Sequence, residues 1–279
     1  MESRPSTAPT RRLRMRRATL ASYGILLLAM IAGCGPGPKE DTDLIRKVGV
    51  VILSQADGTA QPEGQAAFVE LADARARNLM ASALSASVGT CMVGTPGNPA
   101  SGSLVEAPSG ARLSVANAVF TVDGRPYGQL QPTESGSYQL TGTTGPLPGA
   151  GLALTLPAST TFGGVESLSI PTGTAPLLAP GFDASAIRSD TEFRWQPGSS
   201  AATVLLMGSG AGVTFFCVAE DAAGTFAFPQ TTRADLAEAS FTTGQLAVVG
   251  RLTTTSAPVG DSNLLLIGAL RLSNLGVDR

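Results

Sequence analysis

The 279-residue chain contains no histidine. That excludes Ser-His-Asp triads, Cys-His dyads, an imidazole general base and a histidine-ligated metal. Lysine is nearly as scarce. Lys39 and Lys47 both lie in or beside a Gly/Pro stretch near the N-terminus, so covalent catalysis through a lysine amine has little support. Aromatic rings make up 5% of the chain, with one Trp and three Tyr. Surfaces that bind sugars stack them on rings, so the lone Trp195, at strand spacing from Phe193, reads as core. The three cysteines are far apart and form no CxxC pair or zinc spacing. There is no G-x-S-x-G, no phosphate-loop lysine, no EF-hand loop and no tandem repeat. No cofactor and no metal is implied.

What is present begins with charge. Residues 11–17, RRLRMRR, form a dense positive block, and residues 18–33, ATLASYGILLLAMIAG, carry no charge. A basic segment followed by a short apolar run is the pattern of an export signal. The run is shorter than the roughly 20 residues a membrane-spanning helix needs. It ends in Ile31-Ala32-Gly33-Cys34. An aliphatic residue, two small residues and a cysteine resemble the lipobox of bacterial lipoproteins. The resemblance implies cleavage before Cys34, a diacylglyceryl group on its thiol and an acyl group on its amine. Two or more chains give stable anchoring. Gly35, where that family often uses Asp for inner-membrane retention, leans toward an outer membrane. Residues 35–43, GPGPKEDTD, then read as a solvated tether rather than a metal loop.

Six of the 19 basic residues and one of the 21 acidic residues precede Cys34. The remaining 246 residues carry a net charge near −7 and no Lys/Arg cluster. Nucleic acid binding requires a cationic footprint and is disfavoured. Beyond Cys34, two cysteines remain. An even count in an exported chain predicts a Cys91–Cys217 disulfide, the alternative being two buried thiols.

Gly totals 33 and Pro 19, and short apolar stretches of period two lie between them. "GLALTLP" puts Leu152, Leu154 and Leu156 on one face. "SYQLT" pairs Tyr138 with Leu140, and "ESLSI" pairs Leu168 with Ile170. "EFRWQP" pairs Phe193 with Trp195 and turns Arg194 outward. "ALRLS" pairs Leu270 with Leu272 around Arg271. This alternation, recurring with turn residues, predicts an all-β chain of antiparallel strands in a sandwich, with at most one short helix. Residues 66–88 are rich in Ala and Leu. They read as a strand, AAFVEL, followed by a short helix or loop, or as one longer helix. The Pro/Gly-rich segment 171–189 is a domain linker or a long sandwich loop. The expected organisation is a signal over 1–33, a lipidated cysteine and tether over 34–47, and β lobes over 48–170 and 176–279.

In the second lobe, Trp195, Pro197, Cys217, Asp221, Gly224 and Pro229 follow one another in a recognisable order. A Trp-x-Pro strand precedes a Cys strand, an acidic-Gly turn and an aromatic-Pro strand. This resembles immunoglobulin-like β-sandwich regions in exported bacterial lipoproteins. The resemblance implies a fold and a location, with no activity.

Two stretches suggest chemistry. "GSGAGV", 208–213, resembles a phosphate loop, but VTFFCV follows it and reads as a strand, so a hairpin is expected. Glu220-Asp221 is an acidic pair. Adjacent residues on a strand face opposite ways, which suits neither a glycosidase nor, without further ligands, a calcium site. The sequence thus points to a non-enzymatic envelope lipoprotein that binds or scaffolds. The alternatives are a carboxylate-dependent hydrolase of envelope polysaccharide and a small-ligand binder. The partners implied are the membrane, through lipid on Cys34, and an envelope protein or polysaccharide.

Overall fold

The computed structural model describes residues 46–59, 61–71, 88–95, 111–198, 202–260, 263–273 and 275. Cys34 and the tether up to Asp43 lie outside them.

The period-two stretches form strands, and their apolar side chains are buried except for Leu168 and Leu272, which are half-buried. Leu152, Leu154 and Leu156 are each at most 1% exposed, while Ala153 and Thr155 between them are half-buried. Phe193 and Trp195 are buried and Arg194 is exposed. The first half holds β1 (Lys47–Ala56), β2 (Glu63–Glu70), β3 (Thr90–Gly94), β4 (Val119–Val122), β5 (Arg125–Pro132), β6 (Tyr138–Thr141), β7 (Leu152–Leu156) and β8 (Val165–Ser169). The second holds β9 (Glu192–Arg194), β10 (Ala202–Gly210), β11 (Val213–Glu220), β12 (Thr225–Ala227), β13 (Gln245–Pro258) and β14 (Asn263–Leu272). One α-helix, α1 (Gln230–Glu238), lies between β12 and β13. The expected all-β, predominantly antiparallel architecture is what the structure has.

Residues 66–70 belong to β2, with Ala66 and Phe68 buried, as the strand reading of AAFVEL requires. Residues 72–87 lie outside the described residues. The helix α1 is not foreshadowed by the sequence reading. It begins after Pro229 and ends before Ser240, whose φ of 59° breaks the helical run. Leu236 is its fully buried contact with the core.

Twelve strands form one sheet in the order β3-β11-β10-β13-β14-β1-β2-β6-β5-β4-β7-β8, and β9 pairs with β12 beside it. Every pair is antiparallel except β1 with β14, which run parallel over ten residue pairs. These two central strands read VGVVIL and LLLIGAL. They are buried on both faces, and near-continuous apolar strands are what burial on two sides demands.

Three apolar clusters follow from the register. Val51, Leu53, Leu265, Ile267 and Ala269 point into a first core with Phe68, Phe120, Leu130 and the β7 leucines. Val48, Val50, Ile52, Leu264 and Leu266 point to the opposite face, with Leu205, Phe216 and Val218. A third core gathers Phe193, Trp195, Val204, Leu206, Phe215, Cys217 and Leu236. Val204 pairs with Arg251, Arg251 with Arg271, and Thr253 with Ala269. Paired residues project to one side, so the first and third cores share a face. Between them lies the segment 171–176.

Candidate functional site

Segment 171–176 crosses β13 and β14 on side-chain donors. The Thr253 hydroxyl donates to the Pro171 carbonyl, and Arg271 Nε to the Gly173 carbonyl at 3.0 Å. Arg251 Nη1 donates to the carbonyl of Thr174 at 2.9 Å and of Ala175 at 3.4 Å. The Ser273 hydroxyl donates to the Pro176 carbonyl. Pro171 and Pro176 have no N–H to give to a sheet ladder, and the segment between them is not a strand. Long side chains from the facing strands therefore satisfy the carbonyls that a ladder would have taken.

Arg251 also ends a buried polar chain. Its Nε and Nη2 bond both carboxylate oxygens of Asp221, at 2.8 and 2.9 Å, and Nη2 reaches the Gln196 carbonyl at 2.7 Å. Trp195 Nε1 donates to the Asp221 carboxylate and carbonyl, each at 3.1 Å. Asp221 is 0% exposed and Arg251 5%. A Cβ at Gly198 would stand 2.3 Å from the Asp221 carboxylate, so only glycine lets the backbone close over the pair. Trp195 N donates to the Gly224 carbonyl at 2.9 Å, and Pro197 stacks beside Gly224. Trp195, Pro197, Asp221 and Gly224, which carry the resemblance noted in the sequence, thus surround one another, with Cys217 in the same core.

The acidic pair is divided. Glu220 is exposed, whereas Asp221 spends both oxygens on Arg251 and Trp195. The two carboxylates do not face each other across a cleft. Among the described residues, no group of three or more His, Cys, Asp or Glu side chains is placed to hold a metal ion.

The glycine-rich stretch is a hairpin, as expected. β10 and β11 are joined by Ala211 and Gly212, both at positive φ, 52° and 80°. Those angles define the turn whose twist matches flanking strands. Beside it lies an open depression of about 460 Å³ bordered by Ser185, Ser209, Thr214 and Gln245 and by backbone of Gly210 and Gly212. Hydroxyl, amide and peptide groups line it together with the apolar Ala211 and Val213, and none of the lining side chains is charged. The Asp183 carboxylate accepts from the amide and hydroxyl of Ser185 at 2.9 and 2.6 Å, which holds its pKa below the usual value.

A second polar centre lies where 171–176 meets the first half. Arg271 bonds the Gln55 amide oxygen and the carbonyls of Leu147 and Pro148, and burial lowers its pKa. Tyr127 donates to the Gly145 carbonyl at 2.9 Å. Burial pushes its phenol up to about 12, with the Arg271 charge opposing. Neither arginine was legible as a site in the sequence. Their only signal is a cation within an apolar run, in VVGRL near the middle of β13 and in GALRL near the end of β14.

Cys91 and Cys217 form a disulfide between directly opposed residues of β3 and β11, with Cα atoms 4.1 Å apart. Among the described residues, no helix is long and apolar enough to cross a membrane. Neither protein-family models, nor curated proteins, nor solved structures give a match to this chain.

Proposed function

We propose that the chain is an exported lipoprotein, anchored through lipid on Cys34, that serves as a non-enzymatic binding or structural module of the cell envelope. The observation that carries this reading is the sequence Ile31-Ala32-Gly33-Cys34 behind a basic block and an uncharged run. Residues 35–46 would then link the lipid to β1. Twelve residues reach at most about 40 Å when extended, which keeps the sheet close to the bilayer. Supporting the non-enzymatic part are the absence of histidine from the sequence and the use of Asp221 as an ion-pair partner. The test is mass spectrometry of the protein purified from its own membranes. A new N-terminus at Cys34 carrying diacylglyceryl mass, lost in Cys34→Ala, is the expected result. An unmodified Cys34 with residues 1–33 retained refutes the anchor. A hydrolytic activity abolished by one carboxylate substitution refutes the non-enzymatic role.

A further inference from the structure

The two cysteines of the disulfide occupy unequal places. Cys217 is on β11, between β10 and β3, and is 0% exposed within the third core. Cys91 is on β3, at the end of the sheet order, and is half-buried. Thiol–disulfide exchange passes through a mixed disulfide. The attacking, central and departing sulfurs must come close to a line. Cys91 also packs against the third core, but Cys217 lies on its β11 side, so a sulfur leaving Cys91 in line departs away from β11, past the last strand of the sheet among the described residues. The reverse arrangement would seat the departing sulfur, and the protein attached to it, inside the third core.

We infer that the bridge is made through Cys91. An envelope thiol oxidase carrying a reactive disulfide joins Cys91, and Cys217 resolves the adduct. In the first step the Cys91 thiolate attacks one oxidase sulfur. The oxidase S–S bond breaks and its other sulfur leaves as a thiolate. In the second step the Cys217 thiolate attacks Cys91 Sγ and expels the oxidase's bound sulfur. The oxidase has then gained two electrons, and the two protons given up by Cys91 and Cys217 return its sulfurs to thiols. Chain order acts the same way. Cys91 precedes Cys217 by 126 residues, so in N-to-C export it meets the oxidase first. A thioether at Cys34 cannot compete.

The inference rests on the proposed export, and two measurements separate the two. In an exporting cell, the full chain is alkylated and separated without reductant. The Cys217→Ser chain is expected to accumulate a dithiothreitol-sensitive adduct with the oxidase several-fold above the Cys91→Ser chain. An adduct as abundant on Cys91→Ser overturns the inference. With the purified, oxidised full chain, excess glutathione in native buffer is followed by acid trapping and peptide mapping. Glutathione on Cys91 supports the inference by reversibility, and glutathione on Cys217 overturns it. A wild-type chain that keeps residues 1–33 refutes export, while the glutathione map of that chain after oxidation in vitro still decides the route.

Discussion

Removing the Asp221 carboxylate should be among the most damaging single changes in the second half of the chain. Asp221→Ala leaves the Arg251 guanidinium buried with its Nε donor unmatched, and strips Trp195 Nε1 of one of two acceptors. Breaking a buried ion pair from one side costs about 3–5 kcal/mol, because the surviving charge stays desolvated. Arg251→Met should cost at least as much, since it also abandons the carbonyls of Thr174 and Gln196. Arg251→Lys should recover little, because an ammonium cannot reproduce the two-point contact with the carboxylate. The double variant Asp221→Leu/Arg251→Met should lose far less than the sum, since replacing both charges by apolar groups is often near neutral. The assay is urea unfolding followed by fluorescence. Trp195, the single tryptophan, bonds the network itself. With a slope of about 2–3 kcal/mol/M, the single variants should shift the midpoint down by about 1–2.5 M. If Asp221→Asn and Asp221→Ala both unfold within about 0.5 kcal/mol of the wild type, the pair is not the buried lock described here.

Three other outcomes are expected. Replacing Cys91 and Cys217 by Ala should cost about 5 kcal/mol in the chain-entropy account for so long a loop, read from urea curves against the oxidised protein. Ala211→Asn, placing a residue that tolerates positive φ in the β10–β11 turn, should stabilise by up to about 1 kcal/mol, and Gly212→Val should destabilise by at least about 1 kcal/mol in the same assay. The phenol of Tyr127 titrates near 12 in the fold, against about 10 when unfolded. The folded state therefore holds its proton longer, and stability that is intact below pH 10 falls as pH rises toward 12. Thermal melts should decline through that window, and Tyr127→Phe should flatten the decline.

The strand faces were legible because period-two alternation and burial are the same fact seen twice, as Leu152, Leu154 and Leu156 show. The hairpin at 211–212 was legible because a strand, not a helix, follows its glycines. Cross-strand pairing was not. Nothing local in LLLIGAL says that it lies parallel to VGVVIL rather than beside its sequence neighbour alone. Helix α1 escaped because QTTRADLAE has a weak apolar stripe, and Leu236 carries most of its docking. Asp221 was read as a turn acid because its partner lies 30 residues away on another strand. The segment 171–189 reads as a linker or a loop because its prolines and glycines mark only a break in regular structure. They do not report which side chains take over.

The parallel seam between β1 and β14 has a consequence for synthesis. The first described strand has its full complement of neighbours only when the last one arrives. A chain cut short before Asn263 would not be a smaller version of this protein. It would carry two raw strand edges, on the apolar β1 and on the threonine-rich half of β13, each open to the wrong partner. Completion of the polypeptide, rather than accumulation of its parts, is what closes the molecule. A permuted chain that began at β14 would have to carry its linker back along about 30 Å of strand to reach the start of β1.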